Sequence, residues 1–119
     1  MPAAFPITRI YTDRDGESRF EDISISLNEA GEIGALSELI PVNGVIFREV
    51  IAQYDYDFHN APQRQYLILI DGEIEIETSL GEKRRFTGGD VLSLEDTTGK
   101  GHRTKNILAQ KRRSIFIPF

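Results

Sequence analysis

The segment that most constrains this chain lies between residues 65 and 77, where a nearly all-apolar run, Gln65 to Ile70, and a strict alternation, Glu73-Ile74-Glu75-Ile76-Glu77, flank the pair Asp71-Gly72. Period-two alternation puts successive side chains on opposite faces of an extended strand, so the second run turns Ile inward and Glu outward, while the first reads as a buried strand. Asp-Gly between two strands is the preferred composition of a two-residue type I′ turn, and it predicts a β-hairpin whose register is pinned there. Val45 to Ile51, Val91 to Leu94 and Ser114 to Ile117 continue the pattern, with Gly81 and Gly88-Gly89 marking turns. Short strands at even spacing predict an all-β fold, a single antiparallel barrel. One segment dissents: Asn28 is placed to cap a helix in which Ile33, Leu36, Leu39 and Ile40 recur at helical spacing. Gly31 and Gly34 would each cost such a helix about 1 kcal/mol, so a turn or irregular crossover into Pro41 competes with it.

A chain of 119 residues closes one hydrophobic core, and no linker divides it. The expected organisation is one domain, with N-terminal strands and a crossover over 1–40 and the barrel core over 41–119. No apolar run approaches the ~18 residues of a membrane span, and the start, MPAAFPITRIYTDRDG, has no basic flank followed by an apolar stretch. A cytoplasmic protein with no membrane partner is the expectation. Cysteine is absent, which excludes disulfide frameworks, thiolate zinc sites and Cys-His nucleophiles. The formal net charge is -5, and the basic clusters Lys83-Arg84-Arg85 and Lys111-Arg112-Arg113 sit among carboxylates or beside a strand, so no nucleic-acid partner is expected.

The chain has two histidines. If His59 onward is extended, His59, Ala61, Gln63, Gln65, Leu67 and Leu69 share one face that begins polar and becomes apolar. That is the profile of a strand descending from a binding mouth into a packed barrel. His102 follows Gly99 and Gly101, whose tight turn returns it to the barrel wall; Gly99-Lys100-Gly101 lacks the features of a phosphate-cradling loop. Glu95 and Asp96 read as solvated turn residues in preference to acid/base groups.

At these residues the chain resembles the cupin superfamily, over His59 to Glu77 and Gly89 to Asn106. The resemblance implies a jelly-roll barrel of double-stranded β-helix type. Aligning the turn glycine of the first cupin motif on Gly72 puts its first histidine on His59, its second on Ala61 and its glutamate on Gln65. Gly89, His102 and Asn106 match the outline of the second motif, with a longer loop that lacks the usual proline. Cupins typically hold one divalent metal, and the resemblance implies a weakened version of that site made of His59, Gln65 and His102, taking Fe, Ni, Zn or Mn. Gln in place of Glu removes a charge and leaves a weaker oxygen donor.

Three functions follow as expectations. The first is a metal-assisted isomerase, lyase or oxygenase acting on a small carboxylated or sugar-like molecule, with His59 and His102 anchoring the metal, Gln63 and Gln65 orienting substrate, and Arg64 or Arg103 pairing with a carboxylate. The second is a metal-free isomerase or epimerase in which His59 or His102 is the catalytic base and Tyr54 or Tyr56 the proton partner, Tyr66 having the wrong parity. The third is a non-catalytic binding module using Phe47, the tyrosines and the amides. A terminal strand of a small barrel tends to hide its edge against a second copy, which predicts a homodimer.

Overall fold

A computed structural model describes residues 3–119. The strands are β1 (Ala3–Thr12), β2 (Ser18–Glu29), β3 (Ala35–Leu36), β4 (Ile46–Val50), β5 (Asp55–His59), β6 (Gln65–Leu69), β7 (Glu73–Glu77), β8 (Lys83–Thr87), β9 (Val91–Leu94), β10 (His102–Asn106) and β11 (Arg112–Pro118). They form a seven-stranded sheet of order β3-β2-β1-β9-β6-β11-β4 and a four-stranded sheet of order β5-β10-β7-β8. The fold is an all-β jelly-roll barrel, antiparallel except where β1 runs parallel to β9. Ile10, Leu67, Leu69, Ile74, Ile76, Phe86, Leu92 and Leu94 fill the space between the sheets. The alternation in β7 behaves as its pattern requires, with Ile74 and Ile76 fully buried and the three glutamates partly exposed.

The hairpin predicted at Asp71-Gly72 does not form. β6 pairs with β9 and β11, and β7 with β8 and β10, so the turn is a corner at which the chain leaves one sheet for the other. A type I′ turn needs positive φ at both central residues. Here Gly72 has φ 76°, but Asp71 has no positive φ, since among the described residues only glycines do. The Asp71 carboxylate instead accepts the backbone N–H of Arg113 at 2.7 Å, which ties the corner to β11.

The helical option over Asn28 to Leu39 also fails. β2 continues to Glu29, a single 3-10 turn covers Gly31–Ile33, and two residues of β3 follow. The chain turns at Gly31 and Gly34, at φ 71° and 97°. The continuous strand read from His59 to Leu69 is likewise broken: β5 ends at His59 in the four-stranded sheet, and β6 begins at Gln65 in the seven-stranded one. Both terminal strands are interior, β1 between β2 and β9 and β11 between β6 and β4, so neither offers a free edge to a second copy. No helix among the described residues is long and apolar enough to cross a membrane.

Candidate functional site

Opposite residues on neighbouring antiparallel strands lie within side-chain contact. His59 at the end of β5 is the register partner of His102 at the start of β10, which puts the two rings 4.6 Å apart. Gly101 makes that approach possible. It has φ 73°, and a Cβ there would lie 2.2 Å from the carbonyl oxygen of His59, so no side chain fits between the strands.

Each imidazole is fixed through Nδ1. His102 is buried at 2% exposure, and its Nδ1 lies 2.5 Å from Oδ2 of Asp96, which is itself fully buried. A buried carboxylate in that position accepts Nδ1–H and leaves Nε2 as the free nitrogen. Asp96 is pinned in turn: its carbonyl accepts the backbone N–H of Ala61 at 3.2 Å and the side-chain amide of Asn60 at 3.3 Å. The expectation of a solvated Asp96 is therefore corrected. Glu95 is also engaged, by the hydroxyl of Ser93 at 2.8 Å and by Arg9 at 3.1 Å. His59 is half-buried, donates Nδ1–H to the Asp57 carbonyl at 2.8 Å and stacks on Tyr56 with ring centroids 3.9 Å apart. Burial depresses its pKa below the usual histidine value, and proximity to His102 and to the Arg48 cation acts the same way.

Both histidines open onto a cavity of about 400 Å³ inside the barrel. Tyr54, Tyr56, Gln63 and Gln65 line it with them, and Leu67, Ile76, Leu94 and Phe116 form apolar wall. The break between β5 and β6 thus preserves the shared surface read from period two, because the loop carries Ala61 and Gln63 past the same opening. Phe47 is not part of this surface. It is 77% exposed and lines a separate groove, while its neighbours Ile46 and Arg48 face the cavity. Tyr66 packs on Phe119 outside the cavity at 4.7 Å. Arg64 stands over the same Phe119 ring, and Arg103 pairs with Asp55, so neither proposed arginine lines the cavity.

The cation that does line it is Arg48. Its guanidinium sits 4.4 Å over the Phe116 ring and 5.7 Å from that of Tyr54, and Nε donates to Ser114 Oγ at 2.9 Å. Burial lowers its pKa. Arg112 lies on the other side of Tyr54, 5.1 Å from the ring, and is 1% exposed. Burial and the charge of Arg48 push its pKa down to about 10. Nε of Arg112 donates to Asn106 Oδ1 at 2.7 Å, and its two terminal nitrogens have no protein partner.

A metal would find two Nε2 atoms and the amide oxygen of Gln65. Among the described residues no group of three His, Asp or Glu side chains gathers around them, and the charged side chain lining the same cavity is a guanidinium. This donor set does not fit a tightly held divalent ion.

No family model matches the chain, and no curated protein is similar to it in sequence. Solved structures do resemble it. The cupin domain of Schizosaccharomyces pombe Cnp3 superposes with a TM-score of 0.51 at 11% identity, over 98% of this chain and 84% of that one. Protein NMB1881 from Neisseria meningitidis gives a TM-score of 0.49 at 10% identity, over 100% of this chain and 82% of that one. A Salmonella typhimurium protein described as ethanolamine utilization protein q gives 0.42 at 14% identity, over 98% and 97%. The likeness to the Cnp3 domain identifies the architecture, and the chain has the cupin fold. Fold alone does not choose an activity among the many this barrel hosts.

Proposed function

We propose that the barrel cavity is the active site of a metal-independent enzyme that moves a proton on a small organic molecule, of the isomerase or epimerase class. The observation that carries the reading is the buried His102–Asp96 pair, at 2.5 Å, beside the cavity. A carboxylate on Nδ1 fixes the tautomer and steadies the imidazolium that forms when Nε2 takes a proton, which is the arrangement a general base needs. Tyr56, stacked on His59 at the rim, and Tyr54 are phenols in the same cavity and serve as the return proton donor. Gln65, 3% exposed, and Gln63 are amides suited to orienting a carbonyl or hydroxyl of the substrate.

The test follows solvent deuterium entering the α-carbon position of a panel of small ketones, keto acids and hydroxy ketones by proton NMR. Exchange that survives EDTA and is lost in His102→Gln supports the proposal; exchange equal in both proteins, or none with any compound, overturns it. The competing metal reading on His59, Gln65 and His102 predicts near-stoichiometric metal by elemental analysis, lost in His59→Ala and His102→Ala. A binding module without turnover would give ligand-dependent shifts and no exchange.

The homodimer is carried forward as a proposal on different grounds. The edge strand β4 bears Ile46 and Phe47, and Leu39 in the preceding crossover is 94% exposed. Exposed apolar side chains beside a free edge favour association. Light scattering at twice 13.5 kDa supports it, and a 13.5 kDa species at all micromolar concentrations overturns it.

A further inference from the structure

Arginine and lysine side chains without a carboxylate partner normally stay in water, and among the described residues four of this chain's do: Arg14, Arg64, Lys83 and Lys111 are exposed. Arg48 and Arg112 break the rule. Neither pairs with an Asp or Glu, yet Arg112 is fully buried and Arg48 is partly withdrawn into the cavity wall. Removing a cation from water without a counter-charge is costly. Packing on Phe116 and one bond to Ser114 offset part of that cost for Arg48. They leave its charge uncompensated, and Arg112, reaching Tyr54 from the other side, adds to the positive field.

We infer that Arg48 is the recognition group for the carboxylate of a small organic acid, whose apolar body lies along Leu67, Ile76 and Leu94. This deepens the proposed function and rests on it for the identity of the cavity. An arginine fork matches a carboxylate in two parallel hydrogen bonds, and the apolar wall favours a ligand with a single charged end over a polyhydroxylated sugar. A phosphate dianion calls for a second cation, and among the described residues Arg48 is the one Lys or Arg side chain that lines the cavity. Arg112 acts through its field, because it does not line the cavity.

The experiment titrates wild-type protein with benzoate and hexanoate, with their neutral amides benzamide and hexanamide, and with methyl phosphate, by calorimetry and by the 15N–1H signal of Arg48 Nε. The carboxylates are expected to bind at least ~10-fold tighter than the amides and to shift the Arg48 signal. Arg48→Gln removes the preference, and Arg48→Lys keeps part of it. Equal binding of acid and amide, binding unchanged in Arg48→Gln, preference for methyl phosphate, or no carboxylate binding overturns the inference. The wild-type signal decides the question even if Arg48→Gln fails to fold. Carboxylate binding that persists in His102→Gln while no compound exchanges a proton keeps the anion site and removes the proton-transfer reading. Exchange confined to neutral ketones and unaffected by Arg48→Gln does the reverse.

Discussion

The two histidines occupy one rung of the β5–β10 ladder and yet sit in unlike settings. His59 belongs to the rim: half-buried, held by a backbone carbonyl and covered on one face by Tyr56. His102 belongs to the wall: buried, and held by a carboxylate with no exposure of its own. A carbonyl partner orients a neutral imidazole, whereas a carboxylate partner also stabilises a charged one. On the proposed function, the rung separates a positioning ring from a base, a division of labour that substitution of each ring tests directly.

The largest expected effect is on chemistry. In a proton-exchange assay His102→Gln is expected to lower the rate about 10²–10⁴-fold, the usual contribution of a positioned acid or base, with His59→Gln well below that range. Equal losses would break the distinction between the two rings. Asp96→Asn keeps the shape of the pair but removes the charge that steadies imidazolium, and it should lower the maximal rate with little change in ligand affinity measured by calorimetry. Asp96→Ala should in addition destabilise the fold by about 2 kcal/mol in urea melts, since it strands the buried Nδ1–H of His102.

A second effect concerns the backbone that joins the rings. Gly101→Ala should cost about 3 kcal/mol in the same melts, because an L residue is strained at φ 73° and its Cβ would meet the His59 carbonyl at 2.2 Å. Ala at Gly81, which has a comparable φ of 85° but no neighbour within 4 Å, is the matched control and should cost only the backbone part. If the two variants lose the same stability, the close approach of β5 and β10 is not the determinant.

Much of this arrangement was legible in the sequence, for identifiable reasons. Period two located β6, β7 and β9 and turned Ile74 and Ile76 inward, because alternation in a half-buried strand depends on neither partner nor topology. Pairing was not legible in the same way. Asp71-Gly72 marks a turn whether the flanking strands pair or part, and the choice lies with the distant partners each strand finds, β9 and β11 for β6 and β8 and β10 for β7. In the site, His59, His102, Gln63, Gln65, Tyr54 and Tyr56 meet at one cavity. Arg48, beside Phe47 in an alternating strand, carries no signal of its own, and Asp96, in a loop rich in Gly and Thr, reads as a solvated turn residue in preference to an acid/base group. The one available signal for Arg48 was the parity of β4: if a strand buries one face, either Phe47 or its neighbours Ile46 and Arg48 must turn inward.

The smallest effect is the pH response of the rim histidine, and it sharpens the comparison most directly. Burial, with help from proximity to His102 and to the Arg48 cation, holds the folded-state pKa of His59 below the usual 6.5. Between that depressed value and 6.5 the unfolded chain binds the proton more readily than the folded one, so stability falls as pH drops through this window. The contribution is fully present above 6.5 and is lost as pH falls through the folded pKa. His59→Phe keeps a ring to stack on Tyr56 and cannot take up a proton, so its urea-melt stability should depend less on pH below about 6.5 than that of the wild type. Parallel curves for the two proteins would mean that the acid sensitivity belongs elsewhere, and the rim and wall histidines could no longer be told apart by their electrostatic settings.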